Sequence, residues 1–396
     1  MSGNERGIQR RPVTRVSLVT IAGQWLRLGC IGFGGPPTHI ALLRAMCVQE
    51  RAWIDTKEFE DAIATTNLLP GPASTQLAIY CAWRLRGAAG AVLGGLCFIV
   101  PGLVLILTLS TVFLASHPPV WVLGAAAGAG AAVPAVALNA ASGLVPASWN
   151  RIGAGRARQA RWVLYAALGA AAAATVGPYL VLVLLACGLT EILLRRRGRP
   201  LSSRPARAVI PAAVLHVAAV GGLGALVWVA FKVGALSYGG GFVIIPLMQH
   251  DAVNTYHWMT GAQFLDAVAL GQVTPGPVVL TVAVVGYAAA GIGGALLASL
   301  IAFAPSFAFV LFGGSRFDQI RGNSAVESFL TGAGPAVTGA IAGSAIPLCL
   351  AFAHLWQIPV LAGALLWLFV LRRGVVSGLL LAGAIGATLT LAGLPA

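Results

Sequence analysis

Residues 67–76 read Asn-Leu-Leu-Pro-Gly-Pro-Ala-Ser-Thr-Gln, and residues 272–281 read Gln-Val-Thr-Pro-Gly-Pro-Val-Val-Leu-Thr. A helix cannot run through Pro-Gly-Pro, because each proline lacks a backbone donor and its ring fixes φ. Proline is nevertheless favoured at the first position of a helix. The two copies therefore predict new helices that open at Pro72 and Pro277. Their first N–H groups lie unpaired at the positive end of a helix dipole, which favours an anion.

Both motifs belong to a longer internal repeat with an offset of 205 residues. When residues 25–77 are superposed on residues 230–282, 14 of 53 pairs are identical without a gap. The superposed pairs include Gly34 with Gly239, Gly35 with Gly240, and Arg27 with Lys232. We predict a first repeat over 1–194, a basic linker over 195–207 and a second repeat over 208–396.

The composition excludes a water-soluble protein. Of 396 residues, 58% are hydrophobic and 9% are charged, whereas soluble domains carry roughly a quarter charged residues. A membrane crossing needs about 20 apolar residues, and the long uncharged runs leave room for about nine crossings or more. Those runs are 88–115, 120–148, 162–190, 209–231 and 338–371. The predicted fold class is an all-α polytopic membrane protein with two inverted-topology homologous halves and broken or re-entrant half-helices.

The net charge of +14 is explained by membrane topology, so we expect no nucleic-acid partner. Lysine and arginine are retained in short cytoplasmic loops. Loop 44–61 carries Arg44, Arg51 and Lys57, whereas its repeat partner 249–266 carries no lysine or arginine. Equivalent loops therefore lie on opposite sides, which predicts inverted halves. We expect a cytoplasmic N-terminus and linker, and an extra crossing over residues 209–230.

The same charge rule predicts half-helices. If the N-terminus, loop 44–61 and the turn at Arg84 are all cytoplasmic, segments 17–43 and 62–83 must each enter and leave the membrane on one side. Each is too short for two crossings and is interrupted by turn residues, at Gly32–Pro37 and Pro70–Pro72. The second half repeats these breaks, and we expect all four to converge on one place near the middle of the bilayer.

The candidate substrate site consists of these breaks and the polar or basic residues beside them. Paired glycines allow φ > 0 and a concave nest of N–H groups for an anion. A cation within a membrane segment is costly and points to function, although snorkelling of Arg27 and Lys232 to the interface is an equal alternative. The candidate binding residues are Arg27, Gly34, Gly35, Asn67, Pro70, Gly71, Pro72, Ser74, Gln76, Lys232, Gly239, Gly240, Gln272, Pro275, Gly276 and Pro277.

Other chemistry is disfavoured by the sequence. His39, Asp251 and Asp266 are candidates for proton coupling, because histidine titrates near neutral pH and the two carboxylates are isolated. Six cysteines without CxxC spacing indicate neither a metal site nor disulfides, and we expect no cofactor. Neither of the two lysines is preceded by glycine, so no ATP-binding loop exists, and no HExxH or GxSxG motif indicates an enzyme.

The stretch Arg27-Leu-Gly-Cys-Ile-Gly-Phe-Gly-Gly-Pro36 and the two Pro-Gly-Pro segments resemble the chromate ion transporter family in its long, two-domain form. The resemblance implies a prokaryotic protein of the cell inner (plasma) membrane that exports chromate and confers chromate resistance. Sulfate is the closest competing substrate. The alternatives are a carrier for another oxyanion or a passive anion channel, and an intramembrane enzyme is less favoured. Besides the oxyanion and the lipid bilayer, a homodimer partner is left open.

Overall fold

A computed structural model describes residues 16–67, 69, 71–115, 117–152, 155–175, 180–196, 222–237, 242, 244–313 and 324–395. Throughout these ranges the regular structure is helical, without a strand. Most of the predicted linker lies outside the described residues, as do Pro70, Gly239 and Gly240.

The described part of the first half contains seven α-helices: α1 Leu18–Ile31, α2 Pro36–Arg44, α3 Thr56–Thr66, α4 Ala73–Phe113, α5 Val120–Ile152, α6 Arg156–Thr175 and α7 Leu180–Arg196. The described helices of the second half are α8 Leu223–Leu236, α9 Ile244–Gln249, α10 Gly261–Val273, α11 Thr281–Gly313, α12 Ser324–Gly343, α13 Ala345–Leu350, α14 Gln357–Leu365 and α15 Val375–Leu391. A π-helical turn extends α2 over Ala45–Glu50 and α9 over His250–Thr255, and a 3-10 turn, Val278–Leu280, precedes α11.

The helices break where the turn residues predict. Helix α1 ends at Ile31, and α2 begins at Pro36 after Gly34 and Gly35, whose φ values are +96° and +74°. Pro72 precedes the first residue of α4, and Pro277 precedes the 3-10 turn before α11. The predicted helix starts after the Pro-Gly-Pro motifs are therefore confirmed.

Backbone features recur in the two halves at nearly the same offset. Helix α4 is kinked at Gly87 with φ +62° and ψ −149°, and α11 is kinked at Gly291 with φ +61° and ψ −155°. The non-glycine residues Ala52 and His257, 205 positions apart, both have positive φ, of 48° and 51°. This recurrence supports two repeats, while the domain boundaries and the inverted orientation stay predictions.

Helices of the two halves pack into each other. Helices α1 and α8 each pack against the long helix of their own half, α4 and α11, and these two long helices pack against each other. Helix α5 of the first half packs against α14 and α15 of the second, while α12 of the second half packs against α6 and α7 of the first. The core therefore joins both halves.

Among the described residues, four segments are long and apolar enough to cross a membrane: Ala73–Phe113, Val120–Ile152, Val278–Gly313 and Ser324–Leu350. Helix α1, with 14 residues, spans only about 21 Å at ~1.5 Å per residue, less than the ~30 Å of a hydrocarbon core. Large apolar side chains cover the outer surface, including Val19 and Phe312, which are 83% and 82% exposed. The predicted class, an all-α polytopic membrane protein, is confirmed.

The structure divides two of the long apolar runs into shorter helices and describes only part of a third. Run 162–190 contains the end of α6 at Thr175 and the start of α7 at Leu180. Run 338–371 is broken around Ala353 and His354, whose backbone N–H groups both donate hydrogen bonds to the side-chain oxygen of Gln357. Residues 223–230 of the expected extra crossing belong to α8, and most of its remainder lies outside the described residues.

Candidate functional site

The second Pro-Gly-Pro motif contacts the glycine break of the first half directly. The backbone N–H of Gly276 donates a hydrogen bond of 2.9 Å to the carbonyl oxygen of Gly32, the C-cap residue that follows α1. Gly276 has φ +100°, a conformation that glycine adopts without the steric cost of a side chain. Two breaks from different halves thus meet through their main chains.

His39 connects this contact to the first Pro-Gly-Pro motif. The ring is 1% exposed, with Nε2 2.8 Å from the oxygen of Gly32 and Nδ1 3.2 Å from Oγ of Ser74. A carbonyl only accepts, so we assign the proton to Nε2 and let Nδ1 accept from the Ser74 hydroxyl. A chain of three hydrogen bonds, Gly276 to Gly32, Gly32 to His39 and His39 to Ser74, therefore joins three breaks. These bonds give His39 a positioning role as an alternative to proton coupling.

The long helices hold the breaks of the opposite half. A methyl group at Gly102 of α4 would overlap the carbonyl oxygen of Pro275, so only glycine permits this approach. Ser306 of α11 lies 204 residues after Gly102, and its Oγ would be 3.3 Å from a methyl group at Gly71. Each long helix thus packs against the Pro-Gly-Pro motif of the other half.

Several buried polar atoms near these breaks have no hydrogen-bond partner within the described chain. They include the hydroxyl oxygens of Thr75 and Ser306 and the side-chain nitrogen of Gln272, in residues that are 0%, 0% and 5% exposed. The hydroxyl of Ser237 and the side-chain oxygen of Gln249 are likewise buried without a hydrogen-bond partner in the described chain. A buried polar group without a partner costs about 1–3 kcal/mol. Such groups call for a bound water or ligand.

Sequence reasoning predicted Gln272 but missed Thr75, Ser306, Ser237 and Gln249. Thr75 follows the first motif by three positions, and Ser306 directly follows Pro305 in α11. Both positions carried a readable signal, a hydroxyl beside a helix-breaking residue. Nothing in the spacing indicated that α11 approaches the motif of the first half.

Lys232 and Arg27 are equivalent in the repeat but lie in different surroundings. The ammonium group of Lys232 is 2.5 Å from the carboxylate of Asp251, and these two side chains are 17% and 8% exposed. Lys232 also lies 5.6 Å from the ring centroid of Trp228. Arg27 is exposed on α1 and forms no salt bridge in the part of the chain that is described. The structure thus pairs the coupling candidate Asp251 with a binding candidate.

The remaining predicted residues are partly gathered at the breaks. Gly35, Gly71, Pro72 and Gln76 are buried there, whereas Asn67 is exposed at the end of α3 and Gly34 is exposed in the glycine break. In the second half, Pro275 and Pro277 are buried on either side of Gly276. Asp266 lies six residues before Gln272 on α10. Pro70, Gly239 and Gly240 lie outside the described residues, so their placement stays a prediction.

Comparison with known proteins gives a consistent result. The profile of the family described as Chromate transporter matches residues 19–192 and 224–388. A chromate transport protein of Cupriavidus metallidurans is 32% identical over 332 residues, covering 82% of this chain and 80% of that protein. A chromate transport protein of Pseudomonas aeruginosa is 32% identical over 348 residues, covering 84% of this chain and 81% of that protein.

A shorter relative is also similar to part of the chain. An uncharacterized transporter of Bacillus subtilis is 42% identical over 76 residues, which are 19% of this chain and 39% of that protein. These shares make the relative about half as long as this chain, which is the length of one predicted repeat. No solved structure matches the chain.

Proposed function

The chain belongs to the chromate transporter family, and from this premise we propose that it is a secondary active carrier that exports chromate. Its relatives are named transport proteins, which points away from an enzyme. We place it in the inner membrane, with the N-terminus and the linker cytoplasmic, because the basic loops of the first half favour that orientation. Export would confer chromate resistance.

The unpartnered buried donors beside the Pro-Gly-Pro motifs are the observation that carries the proposal. The hydroxyls of Thr75 and Ser306 and the amide nitrogen of Gln272 have no acceptor among the described residues. Chromate is a tetrahedral dianion whose oxygens accept hydrogen bonds. A helix N-terminus after Pro72 adds positive charge, and Lys232, which is paired with Asp251, is a candidate cation of the site. The bound oxyanion would satisfy donors that otherwise destabilise the fold.

The arrangement of the halves favours a carrier. The candidate site lies where the breaks of one half meet the long helix of the other, so movement between the halves would change its access. Inverted-repeat transporters work by such rocking around a site near the middle of the membrane. A passive channel uses a similar positive lining but cannot move its substrate against a gradient.

Purified protein in proteoliposomes distinguishes these functions. We expect chromate to accumulate against its concentration gradient when an ion gradient is imposed, and excess sulfate to inhibit this uptake less than unlabelled chromate does. Flux that only follows the chromate gradient would identify a channel. Stronger inhibition by sulfate would assign the site to sulfate. A chemical product formed from the substrate would indicate an enzyme.

Ser306→Ala separates a substrate contact from a structural role. Removing an unpartnered hydroxyl relieves its desolvation cost, so we expect the thermal midpoint of unfolding to stay equal or rise. Chromate uptake should fall about tenfold, which corresponds to ~1.4 kcal/mol of lost transition-state or substrate stabilisation. Uptake kinetics and thermal unfolding are measured on the same preparation.

The matched control is Ser299→Ala in the same helix. Ser299 is also buried, but its hydroxyl donates to the carbonyl oxygen of Ala295 at 2.8 Å. We expect this variant to transport chromate at the wild-type rate. Equal losses of transport in both variants would remove Ser306 from the site.

A further inference from the structure

A cavity of about 340 Å³ lies away from the breaks, between the end of α4, the starts of α5 and α10, and the loop before α14. Its polar lining consists of Gln263, Asp266, His354 and Gln357, and its apolar lining includes Phe113 and Leu123. Since one water occupies about 30 Å³ of liquid, the cavity has room for about ten water molecules.

Asp266 is the carboxylate in the wall of this cavity. Its side chain is 8% exposed, and no salt bridge or hydrogen bond joins it to another described residue. Oδ1 lies 2.5 Å from the place of a methyl group at Gly130 of α5, so the glycine leaves the space that the carboxylate occupies. A buried carboxylate is costly unless it is paired, solvated or protonated. Here water in the cavity is the available partner.

The elements around Asp266 supply little compensating charge. Helices α4, α5, α9, α11 and α15 and both turns that flank α9 and α11 pack against α10. These elements carry the following charged or titratable side chains: Tyr80, Cys81, Arg84, Arg86 and Cys97 in α4, Arg151 in α5, Tyr287 in α11, and His250 and Asp251 in the π-helical turn. His354 stands in the cavity wall.

Of these groups, His354 lines the cavity. Arg151 follows the cavity residue Ala127 by 24 positions, or about 36 Å of helix, and Arg86 precedes Phe113 by 27 positions, or about 40 Å. Asp251 is paired with Lys232. No arginine or lysine therefore neutralises Asp266 from within the described elements.

The charge pattern predicts on which side this cavity opens. Segments 113–119, 249–266 and 351–356 border it and contain no lysine or arginine. Loops without basic residues belong on the extracytoplasmic side. On the predicted cytoplasmic side, by contrast, the buried carboxylate of Glu191 is paired: it forms salt bridges with Arg161 and Arg195 at 3.2 and 3.6 Å.

We propose that Asp266 is a proton-binding site reached through this cavity from the extracytoplasmic side, and that its proton is the coupling ion of the carrier. The proposal rests on the carrier function above. A hydronium ion in the cavity transfers its proton to a carboxylate oxygen of Asp266 and becomes water, and the neutral acid tolerates loss of that water. The cavity can then close, and the proton leaves to the cytoplasm when the other side opens.

Helix α10 connects the two events. Asp266 and Gln272 lie six residues apart on it, which is about 9 Å along the axis. The helix ends immediately before the second Pro-Gly-Pro motif. A change in how the cavity end of α10 packs therefore moves the backbone that borders the oxyanion site. Helix α10 then links the inward movement of protons to the outward movement of the oxyanion.

The test uses full-length protein in proteoliposomes with an imposed pH gradient. We expect wild-type protein to accumulate chromate and the Asp266→Asn variant to accumulate about tenfold less. The variant should still exchange labelled for unlabelled chromate at the wild-type rate. Asp266→Glu should retain gradient-driven accumulation. The matched control Asp61→Asn, at the equivalent position of the first repeat, should behave as wild type.

Accumulation of chromate by Asp266→Asn at the wild-type level would overturn the proposal. Accumulation by wild-type protein that is driven equally well by a sodium gradient without a pH gradient would also overturn it. Absence of chromate exchange in wild-type protein would instead refute the carrier function on which the proposal rests. If Asp266→Asn fails to fold, a hydrophobic carbodiimide is applied to wild-type protein, since it modifies protonated carboxyl groups. We expect labelling of Asp266 that declines as pH rises, and no labelling would contradict the site.

Discussion

Gly102→Ala is expected to abolish chromate transport and to lower the thermal midpoint of unfolding. The new methyl group would overlap the carbonyl oxygen of Pro275, and a backbone atom cannot move aside as a flexible side chain can. Overpacking of this kind costs about 1–3 kcal/mol or more. Relief of the overlap would separate α4 from the second Pro-Gly-Pro motif and weaken the hydrogen bond from Gly276 to Gly32.

The control for this variant is Gly143→Ala in α5. A methyl group there meets no atom within 4 Å, and alanine in a helix interior is favoured over glycine by about 0.5–1 kcal/mol. We expect unchanged transport and an equal or higher midpoint. Thermal unfolding in detergent and chromate uptake in proteoliposomes measure both effects. A Gly102→Ala protein that transports normally would show that contact with Pro275 is dispensable.

The second large effect is expected for the pair formed by Lys232 and Asp251. Asp251→Leu leaves the ammonium group of Lys232 unpaired at 17% exposure, and loss of one partner from a buried pair is strongly destabilising. Replacement of both partners by apolar residues is often neutral. We therefore expect Asp251→Leu to lower the unfolding midpoint and the double variant with Lys232→Met to restore it.

Transport separates the two roles of this pair. If Lys232 supplies charge to the oxyanion, the double variant folds but still transports chromate about tenfold more slowly. Recovery of transport together with stability would make the pair purely structural. Arg27→Met is the matched comparison at the equivalent repeat position. Because Arg27 is exposed, without a salt bridge in the described chain, its loss should slow transport without changing stability.

Local chemistry explains which features could be predicted from the sequence. Proline fixes its own backbone and removes a donor, so the helix starts after Pro72 and Pro277 follow from a few neighbouring residues. The contacts among Gly32, His39 and Ser74 depend instead on how distant helices pack. Periodicity carries no information on such packing.

Departures from the repeat were also beyond prediction. Position 251 carries aspartate, whereas its equivalent, Met46, is apolar, so the comparison of halves gave no sign of the pair with Lys232. Ser306 likewise stands opposite Gly102, where the first half has no side chain. The duplication indicates where the breaks lie, and the unmatched residues determine how each half interacts with its surroundings.

The exchange of helices between halves has a consequence for biosynthesis. Helix α5 packs against α15, whose first residue follows the last residue of α5 by 223 positions. During translation α5 must wait in the bilayer, with its glycine-lined surface uncovered, until that late partner has been inserted. The contact between these two helices therefore forms only after most of the chain has been synthesised.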